Sequence, residues 1–258
     1  MHPLTETFLP YRARLGYAGA MPTHLKSRRA LAVSGPADFA AVFGVSRETV
    51  ARLETYEALL RQWQKAVNLV AERTLPAIWQ RHFADSAQLV GLVPEARRWL
   101  DLGSGAGFPG LVVAILLAEA PPRPAETEPA PRPARVTLIE SDSRKAAFLG
   151  TVARQTGIAV DILSTRIETC ATQSRVALPD VVTARALAPL DKLLSLAAPF
   201  LSPRTVGLFP KGREAAIEVE AARKAWIFTS ELIPSSTEAG AHIVRVSTLE
   251  PNWKEPRS

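Results

Sequence analysis

The densest chemical signal in this 258-residue chain is the run Trp99-Leu-Asp101-Leu-Gly103-Ser-Gly105-Ala-Gly107-Phe108-Pro109-Gly110. A short apolar stretch enters a turn holding four glycines and leaves as a second apolar stretch from Leu111. Glycine permits positive φ and lets a ligand approach the backbone closely. A helix starting behind such a turn offers free N–H groups to a polar or anionic ligand. Pro109 suits the first position of that helix, where a missing N–H leaves nothing unpaired. Gly105-Ala-Gly107-Phe-Pro-Gly110 has the spacing G-x-G-x-x-G, which cradles the pyrophosphate of a dinucleotide. Such a site also needs an acid at the end of the next strand, to hold ribose hydroxyls. Glu140 stands there, 33 residues past Gly107, or 18 when the fifteen residues 120–134 are left out of the count. A spacing of about 20 is usual.

Read from Asp101, the same run has the form D-x-G-x-G-x-G and resembles motif I of the class I S-adenosyl-L-methionine (AdoMet) methyltransferases. The acid placed directly before the first glycine favours this second reading. In those enzymes it lies near the methionine end of the cofactor. An AdoMet methyltransferase and a nicotinamide-dependent (NAD-type) oxidoreductase are thus both open on the loop alone.

A second set of residues is basic or polar. His82 and Asp85 lie three apart on a predicted helix and share a face, with Arg81 beside them. The same pattern suits an ordinary polar helix face. Arg185 and Lys211 follow the fourth and fifth predicted strands, on the carboxyl edge where open α/β sheets bind ligands. Arg81, Arg185, Lys211 and Arg213 are candidates for phosphate contacts. Each alone also suits solvated surface, and Arg185 also suits a structural ion pair. Cys170 stands alone and reads as a small core filler. Trp63, Trp79 and Trp99 fall at core positions of helices or strands and do not read as base-stacking platforms. One cysteine and four scattered histidines make no metal site.

These residues need elements to hold them. Val50, Leu53, Tyr56, Leu60, Trp63 and Val67 recur at helical spacing behind Ser46, a plausible N-cap. A second helix is predicted from near Thr74, with Pro76 in its first turn, towards Val90; Pro94 then breaks it. From Arg98 the rhythm changes to strands alternating with helices. Strands are predicted at 99–102, 136–140, 159–163, 180–183, 205–209, 226–232 and 242–248. Helices are predicted at 110–119, 144–156, 167–171, 190–201 and 213–225, with Gly157 as a helix-ending glycine. Such alternation implies a parallel sheet covered on both faces. Only seven residues, Pro234 to Gly240, link the last two strands, too few for a crossover, so they form a terminal antiparallel hairpin.

Composition bounds the rest. Hydrophobic residues make up 47% and charged residues 22%, a globular balance that excludes wholesale disorder. No apolar run reaches the ~18 residues of a membrane span, and no secretory signal is read in the first thirty residues. The formal charge of +6 suits an anionic partner such as nucleic acid, and equally plain solubility. Residues 1–37 read as a flexible basic tail. Residues 120–134 hold six prolines and read as an exposed inserted linker.

Asp101-Leu-Gly-Ser-Gly-Ala-Gly-Phe-Pro-Gly110 closely resembles the signature of the RsmG (GidB) family of 16S rRNA (guanine-N7)-methyltransferases. Asn68-Leu-Val, Arg81-His82-Phe-Ala-Asp85-Ser86 and Leu138-Ile-Glu140-Ser141 resemble its Asn-Leu-Thr, Arg-His-x-x-Asp-Ser and Leu-Leu-Asp-Ser. Arg166-Ile167-Glu168, Thr183-Ala-Arg185-Ala186 and Lys211-Gly212 resemble three further family motifs. The likeness spans about residues 46–248. Val70 replaces the usual Thr, Glu140 replaces Asp, and Thr183 replaces Ser with a one-residue shift in spacing. None of these removes a needed chemical group.

The resemblance implies a class I, Rossmann-like α/β fold. It has a seven-stranded, mostly parallel sheet preceded by N-terminal helices. The chain is expected to divide into a tail (1–37), a helical segment (38–94) and an AdoMet-binding domain (95–250) carrying the 120–134 insert, with the tail and the insert falling outside the resemblance. The cofactor contacts implied are Gly103, Phe108, Ile167, Glu168 and Arg185, with Asp101, Gly105 and Glu140 completing the site. Glu140 would take the ribose, and Ile167 would pack on the adenine. The implied substrate is a guanine N7 in the 530-loop region of 16S rRNA in the small ribosomal subunit. The implied protein is a cytoplasmic monomer without metal or membrane association. Neutral guanine N7 carries a lone pair, so positioning matters more than a general base. Accordingly no catalytic base is assigned; Arg81, His82, Asp85 and Lys211 are positioning candidates. A methyltransferase for another substrate and a non-catalytic RNA-binding factor are the rival readings.

Overall fold

The computed structural model describes residues 31–119, 134–173 and 176–252. Residues 1–30 of the tail and 120–133 of the insert lie outside that description. The strands are β1 (Arg98–Leu102), β2 (Arg135–Ile139), β3 (Asp161–Leu163), β4 (Val181–Thr183), β5 (Val206–Lys211), β6 (Trp226–Pro234) and β7 (His242–Pro251). They form one sheet in the order β3-β2-β1-β4-β5-β7-β6. β1 through β5 pair in parallel, and β7 runs antiparallel between β5 and β6. Each strand opens within two residues of its expected start.

Period-two alternation divides the sheet into two apolar faces. Trp99, Val136 and Leu138 pack on one side, with α4 (Gly110–Glu119) and α5 (Ser143–Thr156). Leu100, Leu102, Ile139 and Val182 face the other, with α6 (Ile167–Thr172), α7 (Leu190–Ala197) and α8 (Ala215–Ala222). The N-terminal helices α1 (Pro36–Phe43), α2 (Arg47–Trp63) and α3 (Asp85–Leu92) belong to the first cluster. Phe39, Tyr56 and Phe83 thus share one core with α4 and α5. The expected caps are in place: Ser46 Oγ accepts from Thr49 N at 3.2 Å, and Gly157 ends α5 at φ +67°.

Several expectations are corrected. Helix begins at Pro36, inside the expected tail: Pro36 opens α1, Gly44 closes it at φ +64°, and Phe39 and Phe43 anchor it. The single helix expected from Thr74 is a 3₁₀ turn (Glu72–Ala77), a π turn (Trp79–Ala84) and then α3. Pro76 lacks the N–H that regular α continuation needs. The helix expected over 190–201 ends as a 3₁₀ turn, Ala198–Phe200, which contains Pro199. Pro109 lies just outside α4 rather than within it: its carbonyl accepts from Val113 N at 3.0 Å, and Gly110 is the first helical residue.

Candidate active site

The glycine loop links β1 to α4 beside β4, where the sheet order reverses direction. Ligands of open α/β sheets bind at such a point. A cleft of about 940 Å³ opens there. Gly103 adopts φ +63°, and an added Cβ would sit 2.6 Å from Leu187 Cδ1. At Gly110 it would collide with Leu138 and lie 2.8 Å from Asp101 Oδ2. At Gly103, Gly107 and Gly110 the backbone is therefore packed too closely against its surroundings to admit a side chain, whereas a Cβ at Gly105 would meet nothing nearer than Gly103 O at 3.8 Å.

Asp101 lies beneath this loop and does not line the cleft; it is 1% exposed. Its Oδ1 accepts from Thr183 Oγ1 at 2.8 Å and its Oδ2 from Gly110 N at 3.2 Å. The carboxylate thus ties β4 to the start of α4. Burial raises its pKa from 3.8 to about 6, against the opposing pull of those donors. From α2, the buried Tyr56 Oη donates to Ala106 O, and its ring stacks on Phe108 at 5.2 Å. Sequence reading assigns Tyr56 only to the helix core. A lone hydroxyl in an apolar stripe is the signal that it has a polar partner.

On the β2–β3 side, Glu140 Oε2 accepts from Gly105 N and Oε1 from Asp142 N, both at 2.7 Å. Ile167, buried, and Glu168, exposed, line the same end at the start of α6. Cys170 is buried in the second core cluster, as a filler would be.

On the other side of the loop, Arg185 forms a clamp. Its Nη1 donates to Arg81 O at 3.0 Å and lies 3.4 Å from Asp85 Oδ2. Its Nη2 donates to His82 Nδ1 at 2.8 Å, and the guanidinium sits 5.0 Å above the Phe108 ring. The next residue, Ala186, holds φ +53°. Because arginine only donates, His82 Nδ1 must accept and Nε2 must carry the hydrogen. Nε2 then donates to Thr74 Oγ1 at 2.8 Å, which donates to Ala71 O at 2.6 Å. Burial, and then the cations Arg185 and Arg81, lower the His82 pKa to about 3, so the ring is neutral. Its one acceptor nitrogen is occupied by Arg185, so it offers no free base. The π turn and the start of α3 bring Arg81 O, His82 and Asp85 onto one guanidinium, a combination the spacing only partly foretold.

The β6–β7 turn completes this end. Thr237 Oγ1 donates to Asp85 Oδ1 at 2.9 Å. Gln88 Oε1 accepts from Ser236 N at 2.9 Å, and Gln80 Nε2 donates to Thr237 O at 2.6 Å. Arg81 Nη1 lies 2.6 Å from Glu238 Oε2 across the rim. Neither glutamine stands out in the sequence, where the turn reads only as a hairpin link, because these partners are 148 and 157 residues apart. Lys211 also lines the cleft, but Nζ donates to Ala188 O and Glu218 Oε2, both at 2.7 Å. That pair joins the end of β5 to α8. Arg213 is exposed and lies outside the cleft lining. Among the described residues, no group of three His, Cys, Asp or Glu could hold a metal, and no helix is long and apolar enough to span a membrane.

Comparison with known proteins agrees with this architecture. A putative O-methyltransferase from Klebsiella pneumoniae superposes with a TM-score of 0.50 at 14% identity, covering 81% of this chain and 94% of that one. That likeness concerns the fold alone. The ribosomal RNA small subunit methyltransferase G of Rhodospirillum centenum is 52% identical over 215 residues, 83% of this chain and 91% of its own. The protein of that name from Parvibaculum lavamentivorans is 50% identical over 212 residues, 82% and 88% of the two chains. The GidB family, described as rRNA small subunit methyltransferase G, matches residues 49–244, which include most of α2, all of α3, the glycine loop and both ends of the cleft. The chain belongs to the rRNA small subunit methyltransferase G (GidB) family.

Proposed function

We propose that the protein transfers the methyl group of AdoMet to N7 of a guanine in 16S rRNA, in the 530-loop region of the small ribosomal subunit. The observation that carries this reading is the convergence of the glycine loop, Glu140 and the Arg185 clamp on one cleft, in a chain of this family. Relatives about 50% identical bear a name that specifies small-subunit ribosomal RNA. Family membership speaks against the nicotinamide reading of the same loop.

The residues present fit AdoMet. Gly103, Gly105 and Phe108 would hold it along the loop, Glu140 its ribose, and Ile167 and Glu168 its adenine. Each Glu140 oxygen accepts one backbone hydrogen bond and has a second lone pair for a hydroxyl. When bound, AdoMet supplies an electrophilic methyl group on a sulfonium, open to in-line displacement. Asp101 supports this end from below by fixing Gly110 and Thr183. Arg185, bonded to Arg81 O, His82 and Asp85, holds the wall between the two ends of the cleft.

Neutral guanine attacks through the N7 lone pair, so no proton has to leave first. The clamp suits that chemistry: both Asp85 oxygens accept hydrogen bonds, and the one acceptor nitrogen of His82 is taken. Its contribution is orientation and exclusion of water. The reading implies a monomer working in the cytoplasm on rRNA or on a subunit containing it.

The test is methyl transfer from labelled AdoMet to small-subunit particles lacking their native N7 methylation, with Gly103→Asp as control. Incorporation at one guanine N7, abolished in the control, is the expected result. Binding of AdoMet without transfer would overturn the rRNA assignment and leave the cofactor in place.

A further inference from the structure

A guanine presented by N7 leaves its opposite edge to be read. That edge carries two adjacent donors, N1–H and the N2 amine, and a single carboxylate can accept both. Adenine places an acceptor lone pair at N1, which a carboxylate repels. Methylation at N7 also leaves the purine positively charged, so a carboxylate facing N1–H is best matched to the transition state.

The described residues include five carboxylates along the cleft. Glu140 and Glu168 stand at the β2–β3 end, assigned above to the cofactor. Asp85 has both oxygens occupied, by Thr237 and Gln88 on one side and Arg185 on the other. Glu218 Oε2 accepts from Lys211 Nζ at 2.7 Å and from Leu190 N at 2.8 Å. Glu238 is different. Its pairing is with Arg81 at the rim of the cleft, and both side chains are nearly half exposed (44% and 45%). Screened pairs of this kind are weak and readily exchanged.

The backbone carrying Glu238 is well fixed. Thr237, its neighbour, donates to Asp85, and Asp85 pairs with the clamp arginine. Glu238 N also donates to Ser235 Oγ at 3.3 Å. A half-exposed carboxylate on an anchored turn therefore stands beside Thr237, which bonds the Asp85 of the Asp85–Arg185 pair.

We infer that Glu238 is the residue that recognises the acceptor guanine, exchanging Arg81 for the N1–H and N2–H donors of the base. No proton leaves N1, and the carboxylate faces the positive charge that develops on the ring. This rests on the guanine-N7 reading proposed above.

The experiment is single-turnover methyl transfer to undermethylated small-subunit particles at saturating AdoMet, for the native protein, Glu238→Gln, Glu238→Ala and Arg81→Ala. AdoMet affinity is measured by calorimetry and folding by thermal melting. Glutamine offers one acceptor and one donor where two acceptors are needed. Both Glu238 variants should lose about 30- to 100-fold in rate, with AdoMet affinity within twofold and melting unchanged. On particles carrying adenine at the target position, Glu238→Gln should narrow the guanine-over-adenine preference at least tenfold. A Glu238→Gln rate equal to native overturns the inference and leaves the function standing. So does a loss that Arg81→Ala reproduces in full, because the ion pair alone would then explain it. A native protein that transfers nothing to N7 overturns the function, and the inference with it.

Discussion

The glycine loop and the Arg185 clamp meet at Phe108 but are built on opposite plans. The loop is local: Asp101, Gly103, Gly105, Gly107 and Gly110 fall within ten residues, with one buried acid beneath them. The clamp is assembled from 3₁₀ and π turns, the end of β4 and the β6–β7 turn, around one buried imidazole. Burial favours the neutral form of each group. It therefore raises Asp101 to about 6 and lowers His82 to about 3. The buried acid beneath the loop and the imidazole of the clamp thus respond to pH with opposite sign.

The largest expected effect lies in the loop. Gly110→Ala should weaken AdoMet binding at least 100-fold by calorimetry, because the new methyl meets Leu138 and the Asp101 carboxylate. An affinity within threefold of native would mean that the loop tolerates side chains and is not the rigid half.

The next concerns the clamp. His82 titrates near 6.5 unfolded and near 3 folded, so folding disfavours its proton. Its neutral form contributes stability that is fully present above pH 6.5 and is lost as pH falls towards 3. The whole window is worth on the order of 5 kcal/mol. His82→Gln, followed by urea unfolding from pH 7 to 4.5, should flatten the acid loss of stability. An unchanged slope would remove the imidazole from the account.

Asp101 has the reverse sign. Its folded pKa, about 6, lies above its ordinary 3.8, so its contribution is full below 3.8 and is lost as pH rises through 6. That loss is on the order of 3 kcal/mol. Asp101→Asn should therefore be relatively more stable at pH 7 than at pH 4, compared with the native protein. The opposite trend would show that the donors from Thr183 and Gly110 outweigh burial.

The smallest effect crosses the two halves. Tyr56→Phe removes the donor to Ala106 O and should cost about 1 kcal/mol by denaturant unfolding. AdoMet should bind a fewfold more weakly, because Ala106 lies within the loop. A stability loss with unchanged AdoMet affinity would make Tyr56 a core residue alone.

The loop, all seven strands and the terminal hairpin are legible in the chain because their causes are short-range. Glycine spacing, strand–helix alternation and a seven-residue link act within a few turns of chain. Glu140 is legible too, since its place depends only on the end of the next strand. The burial of Asp101 is not, because the same acid would suit a cleft wall or a cleft floor. Thr183 and Gly110 N decide between those, and Thr183 lies 82 residues from Asp101.

The other end shows where local reading stops. Arg81, His82, Asp85 and Lys211 can be picked out by type, yet their roles follow from partners far along the chain. His82 is held in one tautomer because Arg185 occupies Nδ1, and Lys211 turns inward because Glu218 is there to receive it. The π turn arises where a regular helix is expected, and Gln80 and Gln88 matter through a turn about 150 residues away. Residue types and short spacings thus determine which chemistry the chain can support, since backbone freedom and charge belong to single residues and their neighbours. Which of those groups face the cleft, and in which protonation state, depends on burial and long-range hydrogen bonds, which exist only once the sheet and helices have packed.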